Sequence, residues 1–209
     1  MELNSFLKTY QQTGCNNEYA VKYKEVGDLA LNNLPELSDL FKESSGKIFE
    51  NGLFRIHNTG SFYLWTELSF DYFKKFKGKS YCFAFDWVGR QFAVNYLDGK
   101  SQILMLDPAT AEVFTLNKNV ASFLNEDLVE FKDELMDIAN FNSLRKKLNV
   151  DKLKFNQCMG FKKFLFLGGS LELDNYEVID EEVYWELNYQ VYLQTKNLPP
   201  GTLLNVSIK

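Results

Sequence analysis

The chain has 209 residues, 16% of them aromatic, with 19 Phe and 11 Tyr, and a formal net charge of −5. That much apolar material excludes a disordered chain and suits one large domain, or one domain with a small appendage. No apolar run approaches the ~20 residues of a membrane-spanning helix. The N-terminus MELNSFLKTY lacks the basic and apolar pattern of a secretory signal, so a cytoplasmic protein with no membrane partner is expected.

The first predicted element is a short helix from Ser5 to Gln12, capped by Asn4, with Phe6, Leu7 and Tyr10 inward and Thr13-Gly14 ending it. Glu18 to Val26 alternates weakly and reads as a loop or an edge strand. Leu34, Leu37, Leu40 and Phe41 recur at helical spacing, with Pro35 placed in the first turn. Asn51-Gly52 is a turn, and Leu53–Ile56 a short strand. Asn58-Thr59-Gly60-Ser61 is a loop into a third helix, whose stripe is Trp65, Leu68, Tyr72, Phe73 and Phe76. Its end is crowded by Lys74, Lys75, Lys77 and Lys79, where cations suit the helix dipole. A core-facing stripe with a basic edge explains that pattern better than a single-stranded nucleic-acid site.

Residues 81–116 organise the rest. Tyr81, Phe83 and Phe85 share one face of a strand, and Phe92, Val94 and Tyr96 resume the alternation after Gly89. Asp98-Gly99 between apolar runs signals a hairpin, and Asp107-Pro108-Ala109-Thr110 is the next turn, before Val113, Phe114 and Leu116. Four antiparallel strands in a meander follow from this spacing. The fold class is α+β: an antiparallel sheet covered by helices, with a smaller α+β segment after it.

Beyond the meander, Asn119 is a predicted cap for Val120–Leu124, and Asn125 for a helix from Glu126 to Ala139 with Leu128, Phe131, Leu135 and Ile138 inward. Residues 140–148 add a turn or two, and Asp151–Met159 is a connector. Phe164–Leu167 reads as a strand stopped by Gly168-Gly169, and Glu177-Val178-Ile179 as another. Asp180 caps a last helix with Val183, Leu187 and Val191, and Tyr184 one position on, toward the body. Pro199-Pro200-Gly201 ends it before a final strand, Leu203–Ile208.

Chemistry-bearing residues are sparse. His57 stands alone, Cys15, Cys82 and Cys158 are far apart, and no GxSxG, GxxxxGK[ST] or GxGxxG motif occurs. Gly168-Gly169-Ser170 reads as a sharp turn, and Asp86 as a residue that hydrogen-bonds the Gly89 turn. Glu172 and Asp174 are too few oxygen ligands for a calcium loop. Neither a cofactor nor a metal is expected. A small hydrolase would have to use His57 or the Glu172/Asp174 pair. Charge is unevenly placed: residues 165–209 hold seven acids and two bases, so the whole net charge resides there. Such a segment argues against direct nucleic-acid binding and suits a basic partner, or simply a solvated helix face.

The stretch 159–190 (MGFKKFLFLGGSLELDNYEVIDEEVYWELNYQ) resembles the C-terminal domain of type VI secretion DNase-immunity proteins. The matching features are Gly160-Phe161, Leu165-Phe166-Leu167-Gly168-Gly169, Asn175-Tyr176-Glu177 and the Val183–Gln190 helix. Lys162-Lys163 departs from the proline-containing apolar strand entry of that pattern. Earlier, Leu34-Pro35-Glu36-Leu37, Asn51–Ile56 and Phe83-Ala84-Phe85-Asp86 with Gly89 resemble the GAD-like domain and, more loosely, the SUKH immunity superfamily. The resemblance implies two units, 1–125 GAD-like and 126–209 immunity-type, packed separately or as one. It also implies a non-catalytic protein that holds a cognate toxin, a DNase in that family, by direct contact. The alternative is a SUKH-type regulatory or scaffold module with a non-toxin partner. On the toxin-binding reading, the localised charge makes Glu172, Asp174, Glu177, Asp180, Glu181 and Glu182 the expected contact residues, with Tyr184 or Trp185 if exposed.

Overall fold

The computed structural model describes residues 2–97, 99–199 and 202. Its centre is a seven-stranded antiparallel sheet in sequence order: β1 (Gln12–Cys15), β2 (Lys47–Phe49), β3 (Phe54–Ile56), β4 (Ser80–Asp86), β5 (Gln91–Leu97), β6 (Lys100–Asp107) and β7 (Glu112–Leu116). The expected meander is its β4–β7 half. Leu97 pairs with Lys100, as a two-residue hairpin connection requires, and Gly99 adopts φ +75°; Asp98 lies outside the described residues. A second, two-stranded sheet pairs β8 (Gln157–Phe161) with β9 (Tyr176–Asp180). The α+β class stands.

Both faces of the large sheet are covered, which is why β4 and β5 are buried on nearly every residue instead of alternating. One face takes α1 (Asn4–Thr9) and the helical run from residue 120. There Phe6 packs edge-on to Phe49 and Phe54, and Phe123 meets Phe83 and Phe92. Two further helices, α2 (Lys24–Leu31) and α3 (Pro35–Ser44), precede α4 (Thr59–Tyr72). On the other face α4 and the last helix meet at Trp65 and Trp185, ring centroids 5.7 Å apart.

Several local expectations change. Asn4 is inside α1 and caps nothing; Leu7 is exposed, and Thr13-Gly14 belongs to β1. Of Glu18–Val26, expected as a loop or edge strand, only 18–20 lie outside regular structure; Val21–Tyr23 is a 3-10 turn and α2 begins at Lys24. Thr59-Gly60-Ser61 is already the first turn of α4, because Asn58 and Ser61 form a capping box. Asn119 does cap α5 (Val120–Ser122), but Asn125 caps no helix. Its side chain is engaged with the N-terminus instead, accepting from Phe6 N at 3.2 Å and donating to Glu2 O at 2.9 Å. The single helix expected over 126–139 is a π turn (Phe123–Asp127), α6 (Leu128–Glu130) and α7 (Lys132–Met136). Left-handed Asp137 then precedes α8 (Ile138–Lys147), and Phe131 points outward.

Phe164–Leu167 is not a strand. Leu165–Leu167 makes a 3-10 turn closed by Gly168 at φ +76°, and the strand falls earlier, on β8, which begins within the expected connector and runs on to Phe161. A side chain on Gly169 would put Cβ 1.9 Å from Lys163 O, so the turn expected at the glycine pair is a close backbone crossing. The final helix, α9 (Glu181–Thr195), is capped by Asp180 and turns Tyr184 and Val191 inward as expected, together with Glu181, Trp185 and Asn188, whereas Val183 is exposed and Leu187 half-buried. The end expected at Pro200-Gly201 and the strand at Leu203–Ile208 lie outside the described residues.

Candidate protein-interaction surface

The C-terminal unit is tied to the sheet by buried polar groups. Arg55, Phe85 and Gln91 lie side by side on β3, β4 and β5. The Arg55 guanidinium sits 4.3 Å from the Phe85 ring centroid and donates to the carbonyls of Lys154 (3.1 Å), Phe155 (3.3 Å), Gln157 and Asp86 (2.6 Å). It therefore supplies partners to a loop that has no ladder of its own. Gln91 Nε2 donates to Glu181 Oε1 at 2.9 Å, which leaves Gln91 Oε1 to accept from His57 Nε2 at 2.8 Å. His57 Nδ1 is 3.1 Å from Ser61 Oγ. The turn after β4 completes the join. Asp86 accepts from the backbone of Val88 and Arg90 and from Arg90 Nε (2.6 Å), as expected for the Gly89 turn, and Trp185 Nε1 donates to Gly89 O at 2.7 Å.

This geometry decides several chemical roles. Burial pushes the His57 imidazole down to about 3, so it is neutral, with both ring nitrogens engaged. Burial pushes the Cys82 thiol up to about 12 and that of Cys158 well above its usual range, so neither offers a thiolate. Burial also raises the Glu181 carboxyl well above the usual range; Arg55 opposes this and Asp86 adds to it. Among the described residues, no group of three or more His, Cys, Asp or Glu side chains is arranged to hold a metal ion. His57 and the Glu172/Asp174 pair are not brought together by any hydrogen bond: the former is buried on the sheet, the latter exposed before β9.

The eight expected contact residues separate into two sets. Glu172, Asp174 and Glu177 are exposed; Asp180 and Glu182 are half-buried. Asp174 pairs with Lys147, Asp180 accepts from Glu182 N, Val183 N and Asn156 Nδ2, and Glu182 accepts from the Tyr19 hydroxyl. Glu172 and Glu177 make no ion pair among the described residues. Glu181, Tyr184 and Trp185, by contrast, are buried and belong to the core. Their acidic or aromatic character gave no sign of this, because helical phase, not residue type, decides which side of α9 meets the sheet.

A surface that the sequence did not single out adjoins the acidic segment. Glu18, Tyr19, Ala20, Val21, Lys22, Leu64 and Glu182 line an open cleft of about 270 Å³. Val26 and Leu29 of α2 are exposed. The one signal in the sequence is the weak alternation of Glu18 to Val26.

Residues 117–191 match the family model of the T6SS immunity protein Tdi1, C-terminal. This segment runs from the end of β7 through the clasped loop, β8, β9 and most of α9, and the match supports a type VI secretion immunity family. The crystal structure of Atu4351 from Agrobacterium tumefaciens shares the fold: TM-score 0.59 at 17% identity, over 90% of this chain and 89% of that one. No curated protein matches the sequence.

Proposed function

We propose that this protein is an immunity protein that neutralises a nuclease toxin by covering its phosphate-binding surface, without chemistry of its own. The type VI immunity family match over residues 117–191 carries the reading and supports binding to a toxin. The nuclease character of the partner rests on charge. A nuclease must approach phosphates and so carries a basic cleft. The exposed carboxylates of Glu172, Asp174 and Glu177, with Asp180 and Glu182 at the rim, complement such a cleft and speed encounter. This confines the protein to the compartment where the toxin is made, the cytoplasm. The GAD-like and SUKH-like character of residues 1–125 belongs to the same proposal, with that unit acting as the scaffold that fixes the acidic segment.

Co-expression with the nearest encoded nuclease-like protein is the direct test. Growth should be rescued by the unsubstituted chain, and a failure to rescue ends the immunity reading. Glu172→Lys with Glu177→Lys should weaken binding and flatten its dependence on salt, since two favourable charges become repulsive. Asp180 is unsuited to this series because its carboxylate also caps α9. Unchanged affinity in the double variant would remove the acidic segment from the interface.

A further inference from the structure

We infer that the toxin is met by a surface of both signs: a basic strip, running from the end of α8 through the loop after it to the turn after β8, adjoins the acidic segment and receives an acidic flank of the toxin beside its basic cleft. This rests on the immunity reading and extends it from one charge to a pattern of charges.

Charge in the C-terminal unit is zoned. Residues 145–163 hold seven bases and one acid, Asp151, whereas residues 172–186 hold seven acids and no base. Bases in the last turn of α8 suit the helix dipole, which accounts for Arg145, Lys146 and Lys147. It does not account for Lys152, Lys162 and Lys163, which lie outside any helix and are exposed. Lys146, also exposed, makes no ion pair among the described residues, nor do Lys152 and Lys163. Like charges gathered in this way repel one another in the free protein, and an anionic partner gains by covering them.

Contacts within the chain join the strip and tie it to the acidic segment at Asp174. Arg145 Nε donates to Val150 O at 3.3 Å and its Nη2 to Asp151 O, which holds the loop carrying Lys152 against α8. Arg145, Lys146 and Asp151 line one open cleft of about 540 Å³. Lys147 pairs with the Asp174 carboxylate, and Lys162 Nζ donates to Asp174 O at 2.9 Å. Lys163 N donates to Asn175 Oδ1 at 2.9 Å, so Lys162-Lys163 runs alongside the turn that carries Asp174, two residues after Glu172.

This interleaving selects the occupant. A nucleic acid laid along the strip would run onto Glu172 and Asp174 with no positive charge of its own to meet them. A protein with a basic cleft and an acidic flank satisfies both zones, and opposite charges in register fix orientation as well as attraction. A second copy of this chain, turned about a two-fold axis, would match the zones too, but it would occupy the carboxylates assigned to the toxin.

The test uses the full chain and an inactive variant of the nearest encoded nuclease-like protein, with binding measured by calorimetry across a salt series. A purely acidic interface and one of both signs predict opposite results. If carboxylates alone meet the toxin, Lys162→Glu/Lys163→Glu makes the chain more acidic and should bind no more weakly. On the inference, that variant and Lys146→Glu/Lys152→Glu should each lose affinity roughly tenfold at low salt, and the loss should shrink as salt rises. Lys→Gln at the same positions should give an intermediate loss. Thermal unfolding should match the unsubstituted chain, because the side chains are exposed. If the lysine variants bind as well or more tightly while Glu172→Lys/Glu177→Lys binds weakly, the basic strip falls and the acidic-face reading stands. If the unsubstituted chain does not bind the nuclease at all, both fall. A dimer in sedimentation, or a gel shift of a DNA duplex, that Lys162→Glu/Lys163→Glu abolishes would assign the strip to self-association or to nucleic acid and overturn the inference.

Discussion

His57 and Glu181 sit at opposite ends of one hydrogen-bonded chain through Gln91, and they make opposite demands on pH. Folded His57 stays neutral down to about 3, whereas in the unfolded chain it takes up a proton near its ordinary 6.5. Between those values the unfolded state holds the extra proton, so this residue costs stability as pH falls, by at most about 1.4 kcal/mol per pH unit. The stability gap between the native chain and His57→Gln, from urea midpoints, should therefore close as pH is lowered from 7 toward 4. Glu181 has the reverse sign. Its folded carboxyl keeps its proton above the ordinary 4.5, so stability is lost as pH rises past that value. Glu181→Gln should gain on the native chain in the same direction. Little of this was legible in the sequence. A lone histidine beside a strand gives no phase, and Arg55 between Phe54 and Ile56 looks like the polar position of an alternating strand. Only the sheet's second covered face turns both inward.

At the scale of elements, what the sequence carried well was regular spacing reinforced by turn chemistry: β4 to β7, α3 behind Pro35, and α9 behind Asp180. It failed where one residue type serves two purposes. Asn125 has the chemistry of a cap and is used to hold α1, and the stretch read as a connector up to Met159 already carries β8, in which Gly160 lies. That glycine is needed because α9 lies against it: a Cβ at Gly160 would fall 2.6 Å from the Tyr184 ring. Gly160→Val should separate β8 from α9 and cost about 1–3 kcal/mol, the usual range for overpacking, read as a lower thermal midpoint. A variant as stable as the native chain would mean that Tyr184 swings aside freely. The acidic segment was legible as a charge cluster, but not the division within it, since Glu181 and Glu182 are neighbours in sequence and fall on opposite sides of the α9 packing boundary.

Across the whole molecule, the proposed boundary between residues 125 and 126 cuts through the π turn Phe123–Asp127, and the two parts share their interior. Trp87 Nε1 donates to Met136 O at 2.6 Å, Met159 N to Trp87 O at 2.7 Å, and Leu153 N to Asn51 O at 3.0 Å. Removing residues 126–209 would strand these groups and the Arg55 guanidinium. We therefore expect one cooperative transition, with aromatic and backbone signals coincident on heating, and neither part folded when expressed alone. Two separated transitions would show independent units. The Trp185 to Gly89 bond has a further consequence for how the chain emerges from the ribosome. Strands β4 and β5 are complete nearly a hundred residues before the indole that closes their second side exists. During that interval an aromatic sheet stands half-covered, open to association with other nascent chains, so cellular yield is set by how quickly the tail arrives and docks.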